Sequence, residues 1–128
     1  MIVQAVETLH AGETKIRAGE LFEVDNFDLV MAPVVRGKAR VVRGFNQDPA
    51  IQDFLNERTL HSHFCRVRED ILYDAYRLYA RQRGKATVSP FKFTAHVVAV
   101  PRFDYHRDPD DDIGYFLHIQ LRGKNTIR

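Results

Sequence analysis

The clearest alternation of apolar and polar positions lies between residues 69 and 83 and has the period of an α-helix. Apolar side chains recur three, four and seven positions apart, and they are Ile71, Leu72, Ala75, Leu78 and Tyr79. Acidic residues fill the first turns and arginines the last, an order that complements the helix dipole. Gly84, a type of residue that commonly ends helices, follows. We therefore predict a helix over residues 69–83.

A second helix is predicted to begin at Pro90, because Ser89 is a suitable N-cap and proline is favoured at the first helical position. Residues 94–100 are rich in β-branched side chains, so a strand is the alternative there. As a helix, the segment would direct Phe93, Val97 and Val100 into the core. The residues left on the exposed face would be Lys92, Ala95, His96 and Ala99, with Thr94 at its border.

Two alternating segments, 102–106 and 113–121, follow this helix and are joined by the acidic turn RDPDDD. Such a pattern is typical of a β-hairpin with a polar tip. The order of helix, turn, short helix and hairpin is most simply that of a winged helix, in which the hairpin is the wing. Asp48 and Pro49 predict a further, leading helix in front of this domain.

The first third of the chain has the pattern of a small β structure. Strand-forming residues occur at 2–8, 21–24 and 39–43, separated by turn-rich segments. Pro33 limits any helix between them to one turn. The predicted fold class is therefore α+β, with a small N-terminal β unit over residues 1–44 and a winged helix-turn-helix domain over residues 45–128.

Composition agrees with a folded protein. Hydrophobic residues make up 45% of the 128 positions and charged residues 28%, which argues against a disordered chain. Lysine and arginine number 19 against 17 acidic residues, so any basic surface must come from local clustering. No apolar run approaches the ~20 residues of a membrane span, and we expect a cytoplasmic protein without membrane attachment. The single Cys65 allows no internal disulfide.

Positive side chains cluster where a winged helix would meet DNA. The candidate DNA-binding residues are Arg77, Arg81, Arg83, Lys85, Ser89, Lys92, Thr94, His96, Arg102 and Arg107. Side chains suited to bidentate base contacts are scarce on the predicted second helix, so strong sequence specificity is not expected. The acidic wing tip would be repelled by phosphate, which leaves Arg102 and Arg107 as the wing's contacts. An alternative role for these cations is to complement the C-terminal dipole of the first helix.

Enzymatic and metal-binding roles have little support. His61, His63 and Cys65 alternate and would share one face of a strand, but a structural zinc site needs four ligands and there is no second cysteine. The acidic turn at 108–112 lacks the length and final glutamate of a calcium loop. No nucleophile, base and orienting group can be assigned to one cleft. We expect no metal, no cofactor and no catalysis.

Residues 53–122 resemble the C-terminal winged-helix domain of phage, plasmid and poxvirus primase-helicases. The matching features are Leu-Tyr-x-Ala-Tyr at 72–76, Ser-x-x-x-Phe at 89–93 and Gly-Tyr-x-x-x-x-x-Leu at 114–121. Residues 1–44, with GELFEVD and RGKARVV, are similar to small phage-encoded SH3-like β modules. The chain has no phosphate-binding loop for a helicase. The resemblance implies a non-catalytic DNA-binding accessory or regulatory protein of a phage, plasmid or other mobile element.

Duplex DNA is favoured over single-stranded DNA as the partner, and a homodimer would raise the affinity of one poorly equipped recognition helix. The alternative comes from another class of protein. Winged helices also serve as protein-protein adaptors, and a nearly neutral chain with an acidic wing suits that use. A phage-encoded inhibitor of a host complex would have the same sequence features.

Overall fold

The computed structural model describes residues 1–99 and 103–122, and it divides the chain into two compact units. The N-terminal unit is Met1–Asn46, and the C-terminal unit begins at Gln47. The fold is α+β: the described residues form four α-helices and three small antiparallel sheets. No helix among them is long and apolar enough to cross a membrane.

The N-terminal unit is built mostly from short strands. They are β1 (Ile2–Ala5), β2 (Leu9–Ala11), β3 (Thr14–Ile16), β4 (Leu21–Glu23) and β5 (Ala39–Arg43). A three-stranded antiparallel sheet has the order β4-β1-β5, and β2 pairs with β3 as a separate hairpin. A 3-10 turn (Phe27–Leu29) and helix α1 (Met31–Val35) connect β4 to β5.

Two predictions for this unit are confirmed: its three expected strands are present, and the helix that contains Pro33 is short. β5 has the expected bounds, and the strands expected at 2–8 and 21–24 are somewhat shorter. Pro33 lies within α1, where its missing amide costs nothing because the first turn has no partner for that group. Helix α1 has only five residues and ends at Val35. The hairpin β2-β3 was not foreseen, since its strands are only three residues long, mostly exposed and part of a segment rich in turn residues.

The C-terminal unit alternates helices with strands. Its elements are α2 (Pro49–Arg58), β6 (Thr59–Arg68), α3 (Glu69–Gln82), α4 (Pro90–Val98), β7 (Asp104–Arg107) and β8 (Gly114–Leu121). The three strands form one antiparallel sheet of order β6-β8-β7. The predicted hairpin is therefore present as β7 and β8, and β6 completes the sheet beyond it.

Aromatic side chains fill the core of the C-terminal unit. Tyr76 and Phe93 are stacked with ring centroids 4.7 Å apart, and Phe54 approaches both rings edge-on or tilted. Phe116 closes the core from β8, again edge-on to Phe93. Such offset and edge-to-face pairs are the favoured arrangements of aromatic rings. The core ties all three longer helices to the sheet.

The helix predictions are confirmed in position, and one is wrong in orientation. Helix α4 begins at Pro90 with Ser89 as its N-cap, so residues 94–98 are helical and the strand alternative fails. In α3 the expected apolar face is rotated: Ile71 and Leu78 are exposed. The buried side chains of α3 are Leu72, Tyr76, Tyr79 and Ala80. Leu72 and Tyr79 are buried as expected, and Tyr76 and Ala80 take the places expected for Ile71 and Leu78, because the Tyr76 ring stacks on Phe93 in the aromatic core.

Candidate nucleic-acid interface

Two tyrosines of α3 form hydrogen bonds with the backbone of the turn between α3 and α4. The Tyr73 hydroxyl donates to the Val88 carbonyl at 2.6 Å, and the Tyr76 hydroxyl accepts from the Val88 amide at 3.0 Å. Burial raises the pKa of Tyr76, so its hydroxyl stays protonated in the ordinary pH range. Both backbone groups of Val88 are thereby satisfied by side chains of the preceding helix. The turn that carries the candidate cations is consequently a defined structure.

The end of α3 presents three of the predicted cations to solvent. Arg77, Arg81 and Lys85 are exposed, and within the described residues none of them forms an ion pair. Gly84 has φ of 65°, a left-handed conformation, and the Lys85 amide then donates to the Ala80 carbonyl at 2.9 Å. This helix ending is what the sequence predicted. It spaces Arg81 and Lys85 on either side of the glycine.

Arg83 is placed differently from these three cations. Its guanidinium lies 3.8 Å from the centroid of the Tyr79 ring, and Nη2 is 3.3 Å from Glu57 Oε1. The Tyr79 hydroxyl donates a short hydrogen bond to the same carboxylate. That hydrogen bond, together with Arg83 and Arg58, holds the pKa of Glu57 below its usual value. Arg83 is therefore tied to α2, and a contact with phosphate would compete with this pairing.

Helix α4 does not expose the face that the sequence predicted. Thr94 is 1% exposed and donates from Oγ1 to Glu69 Oε2 at 2.6 Å, so the expectation that it borders a solvent-facing surface is wrong. His96 is also buried, with Nδ1 2.6 Å from Gln47 Oε1, and the prediction of its exposure is wrong as well. Both side chains satisfy polar partners inside the fold. Lys92 is half-buried, and Ser89 caps the helix by accepting from the Lys92 amide.

The core-facing prediction for α4 holds where it is described. Phe93 and Val97 are fully buried, whereas Val100 lies outside the described residues. Ala95, expected on the exposed face, is buried too. The helix is apolar enough on several sides that its sequence periodicity could not separate an exposed face from a buried one.

The β7-β8 hairpin is held by a hydrogen-bond network centred on Glu69, the first residue of α3. Its carboxylate accepts from Thr94 Oγ1, from the Tyr105 hydroxyl at 3.1 Å and from Arg107 Nη2 at 3.3 Å. Burial and the charge of Glu69 raise the pKa of Tyr105. Arg107 also donates to the Asp112 carbonyl at 2.6 Å. The predicted wing cation is thus engaged within the hairpin, and Arg102 lies outside the described residues.

The acidic tip of the hairpin folds on itself. Asp108 accepts from the Asp110 amide at 2.9 Å, and Asp111 accepts from the Ile113 amide at 2.9 Å. Asp112 has φ of 57°, which aspartate tolerates better than most residues. These are local turn contacts of the kind that Asp side chains commonly make. The tip is a solvated turn, as its composition indicated.

Sequence reasoning missed a histidine cluster on the sheet. It grouped His61 and His63 with Cys65, but β6 bulges and the third imidazole near them is His118 of β8, with ring centroids 6.3 and 6.0 Å away. Cys65 is half-buried and its sulfur accepts from the Ser62 hydroxyl at 3.3 Å. As they stand, no three His, Cys, Asp or Glu side chains in residues 1–99 and 103–122 are arranged around a metal position. Only strand pairing, invisible in a linear pattern, brings His118 here.

The sequence has no significant match to a protein family, to a curated protein or to a solved structure.

Proposed function

We propose that the C-terminal unit is a winged helix that binds duplex DNA mainly through the phosphate backbone, as a non-catalytic accessory protein of a phage, plasmid or other mobile element. The observation that carries this proposal is the order of elements, α2-β6-α3-α4-β7-β8, combined with the sheet order β6-β8-β7. A winged helix has that succession, with the first strand completing a sheet whose other two strands are the wing. In it, α3 and α4 occupy the positions of the helix-turn-helix.

The proposed contact surface consists of Arg77, Arg81 and Lys85. They lie at the end of α3 and in the following turn, and all three are exposed. Cations at this position are suited to phosphate oxygens, because each one displaces condensed counterions when it binds. Two predicted contacts, Arg83 and Arg107, are already paired with carboxylates and are expected to contribute less.

Base recognition should be poor. Thr94 and His96, which a solvent-facing recognition helix would have offered to base edges, are buried. Phosphate contacts set orientation and affinity but carry no sequence information. We therefore expect binding that depends strongly on salt and little on sequence. The mobile-element origin rests on the resemblance to primase-helicase winged helices alone.

The test is fluorescence anisotropy with labelled duplex and single-stranded DNA across a salt series. Arg81→Gln and Lys85→Gln should each reduce the slope of log affinity against log salt by about 0.9, the value for one lost phosphate contact. The matched control is Lys15→Gln, which removes an exposed lysine from the β2-β3 hairpin of the N-terminal unit. No salt-dependent binding by the intact chain, or equal slopes for all three variants, would overturn the proposal.

A second candidate, a protein-protein adaptor, is favoured by one observation. Ile71 and Leu78 lie seven residues apart on one face of α3 and are 48% and 57% exposed, and Phe91 at the start of α4 is 46% exposed. Apolar side chains grouped on a surface commonly mark interaction sites. An Ile71→Ser/Leu78→Ser variant should lose a co-purifying partner and keep its DNA affinity if the adaptor function is correct. Retention of that partner by the variant would remove the support for this candidate.

A further inference from the structure

Helix α3 exposes a short stripe of apolar side chains on the side that does not face the core. Ile71 and Leu78 are 48% and 57% exposed. They lie seven residues apart, nearly two full turns or about 10 Å along the helix axis. Leu72 and Tyr76, which α3 buries, point to another side of the helix. Exposed apolar side chains aligned in this way are typical of a helix face that packs against a partner.

Charged side chains border one edge of this stripe, with acids in the first half of the helix and bases in the second. Asp70 and Asp74 lie one turn apart, and so do Arg77 and Arg81. All four are exposed. At about 100° per residue, they lie within roughly 60° of one another around the helix axis. The exposed face therefore has an apolar middle and one edge that changes from negative to positive along the chain.

Such a face is complementary to itself when two copies of the helix pack antiparallel. A two-fold axis perpendicular to both helices brings one edge of the first helix to the same edge of the second. With the axis at the level of Ala75, Ile71 meets Leu78 of a second copy, and Asp74 meets Arg77 of that copy. The members of each pair then lie within about 1.5 Å of the same level, the rise of one residue in a helix.

The charges favour this antiparallel arrangement over a parallel one. Within the described residues Asp74 and Arg77 form no ion pair, so both can pair with a second copy. Asp70 would meet Arg81 in the same way, but Asp70 Oδ2 is already 2.9 Å from Arg68 Nη2 and is expected to contribute less. Parallel packing would instead place like charges together. The match of α3 with itself favours a second copy over an unrelated protein.

We propose that α3 is the contact surface of a homodimer, in which it packs antiparallel against α3 of a second copy. Ile71 and Leu78 form the apolar centre, and Asp74 pairs with Arg77 across the two-fold axis. One pair of 14-residue helices is a small interface, so a weak dimer that depends on protein concentration is expected. The dimer would cover Arg77 and Arg81, so duplex DNA and the second copy would compete for this face.

The test is sedimentation equilibrium of the purified full chain, without DNA, over a range of protein concentrations. Asp74→Arg and Arg77→Asp should each weaken dimerisation about tenfold, because two pairs in every dimer change from attraction to repulsion. The double variant Asp74→Arg/Arg77→Asp has opposite charges in each pair again and should dimerise about as well as the original chain. An equimolar mixture of the two single variants should also dimerise, because one chain then has only arginines and the other only aspartates at these positions.

Two further variants separate the interface from general effects. Asp53→Arg is the matched control, since it reverses an exposed charge on α2 and should leave dimerisation unchanged. Leu78→Ser removes an apolar contact twice in each dimer and should weaken dimerisation tenfold or more, as expected for about two leucine side chains. Circular dichroism identifies any charge variant that fails to fold, and Leu78→Ser, which replaces an exposed side chain, then decides the question.

The proposal fails if the chain is monomeric at about 1 mM, or if Asp53→Arg weakens dimerisation as much as Asp74→Arg does. It also fails if the double variant and the mixture stay as weak as the single variants, because the charges would then not pair across the axis. Lys85→Gln distinguishes this result from DNA binding. Lys85 follows the end of α3, so its loss should reduce the salt slope for DNA and leave dimerisation unchanged.

Discussion

The two units of the chain differ in the size of the side chains they bury. The fully or nearly fully buried apolar residues of the N-terminal unit are Val3, Ala5, Val24, Val30, Val34 and Ala39. The C-terminal unit instead buries six aromatic side chains, namely Phe54, Tyr76, Tyr79, Phe93, Phe103 and Phe116. Each aromatic ring removes far more apolar area from water than a valine or alanine does. The C-terminal unit should therefore be the more stable of the two.

This difference also concerns what each unit leaves exposed. In the N-terminal unit Leu21 and Leu29 are 61% and 72% exposed, so two of its large aliphatic side chains contribute little to its core. A 46-residue unit is close to the lower limit at which a hydrophobic core alone supports a fold. We therefore expect the C-terminal unit to be the more stable one, and the candidate contact residues Arg77, Arg81 and Lys85 also lie in it.

The largest expected effect comes from removing an aromatic ring. Phe93→Ala should lower the free energy of unfolding of the C-terminal unit by about 3–5 kcal/mol, because Phe93 contacts rings from α2, α3 and β8. Val3→Ala in the N-terminal unit should cost about 2 kcal/mol, since it removes two carbons from a fully buried side chain. Urea denaturation of the full chain measures both losses.

The distribution of tyrosines makes the two units distinguishable in one experiment. All five tyrosines lie in the C-terminal unit, so near-ultraviolet tyrosine signals follow that unit, whereas far-ultraviolet circular dichroism follows both. Val3→Ala should leave the urea midpoint of the tyrosine transition unchanged. It should lower only the midpoint of that part of the far-ultraviolet transition which comes from the N-terminal unit. If Val3→Ala shifts the tyrosine transition as much as Phe93→Ala does, the two units unfold together and have no separate stabilities to compare.

The sequence predicted the positions of the helices in the C-terminal unit because local chemistry sets them. Asp48 and Ser89 accept hydrogen bonds from amides in the first turns of α2 and α4, as their positions next to Pro49 and Pro90 indicated. The orientation of α3 could not be obtained in the same way. Two overlapping sets of apolar residues fit one helical period, and the choice between them depends on how large rings pack with distant elements.

The candidate sites were less accessible to sequence reasoning than the fold. Glu69 accepts hydrogen bonds from Thr94, Tyr105 and Arg107, which lie 25, 36 and 38 residues further along the chain. No pattern in the sequence near Glu69 therefore predicts this network. The histidine cluster depends on a bulge that changes strand register. By contrast, the exposure of Arg81 and Lys85 follows directly from a helix end and was predicted correctly.

A smaller effect is expected from adding one carbon to the C-terminal unit. A Cβ at Gly114 would clash with the Tyr105 hydroxyl and lie 2.9 Å from Glu69 Oε1. Gly114→Ala should therefore cost about 1–3 kcal/mol, the usual range for overpacking. Thermal or urea unfolding followed by tyrosine signals measures the loss.

The double variant Gly114→Ala/Tyr105→Phe is the control for this clash. Removing the hydroxyl relieves the closest contact, so the double variant should lose less stability than the sum of the two single variants. If the two losses simply add, the cost of Gly114→Ala does not come from contact with the Tyr105 hydroxyl. The packing around Gly114 would then not be as dense as the structure indicates.

Alkaline pH should act selectively on the C-terminal unit. Burial and the hydrogen bond with Glu57 raise the pKa of Tyr79 from 10.0 to about 12. Because the folded-state pKa lies above the unfolded one, the contribution of Tyr79 is complete below pH 10.0 and is lost as pH rises toward about 12. Tyr79→Phe should reduce the fall in the urea midpoint between about pH 9 and about pH 11. An unchanged fall would assign the alkaline loss to Tyr76 and Tyr105, whose pKa values are also raised.

The smallest effects are expected at the helix caps, where the two units can be compared directly. Asp48 accepts from the amides of Ala50 and Ile51, so Asp48→Ala should cost about 1 kcal/mol. Among the described residues Asn26 accepts from one amide, that of Asp28, in a 3-10 turn of three residues, and Asn26→Ala should cost about 0.5 kcal/mol.

Asp53→Ala removes an exposed carboxylate from the middle of α2 and serves as the control for loss of charge. It should leave stability within about 0.5 kcal/mol of the original chain, because surface substitutions away from caps and cores have little effect. If Asp53→Ala costs as much as Asp48→Ala, the effect at Asp48 is electrostatic and not a consequence of capping. If Asn26→Ala costs more than Asp48→Ala, the expected order of the two effects is wrong. The stability of the N-terminal unit would then depend strongly on hydrogen bonds in its turns, because its small core contributes little.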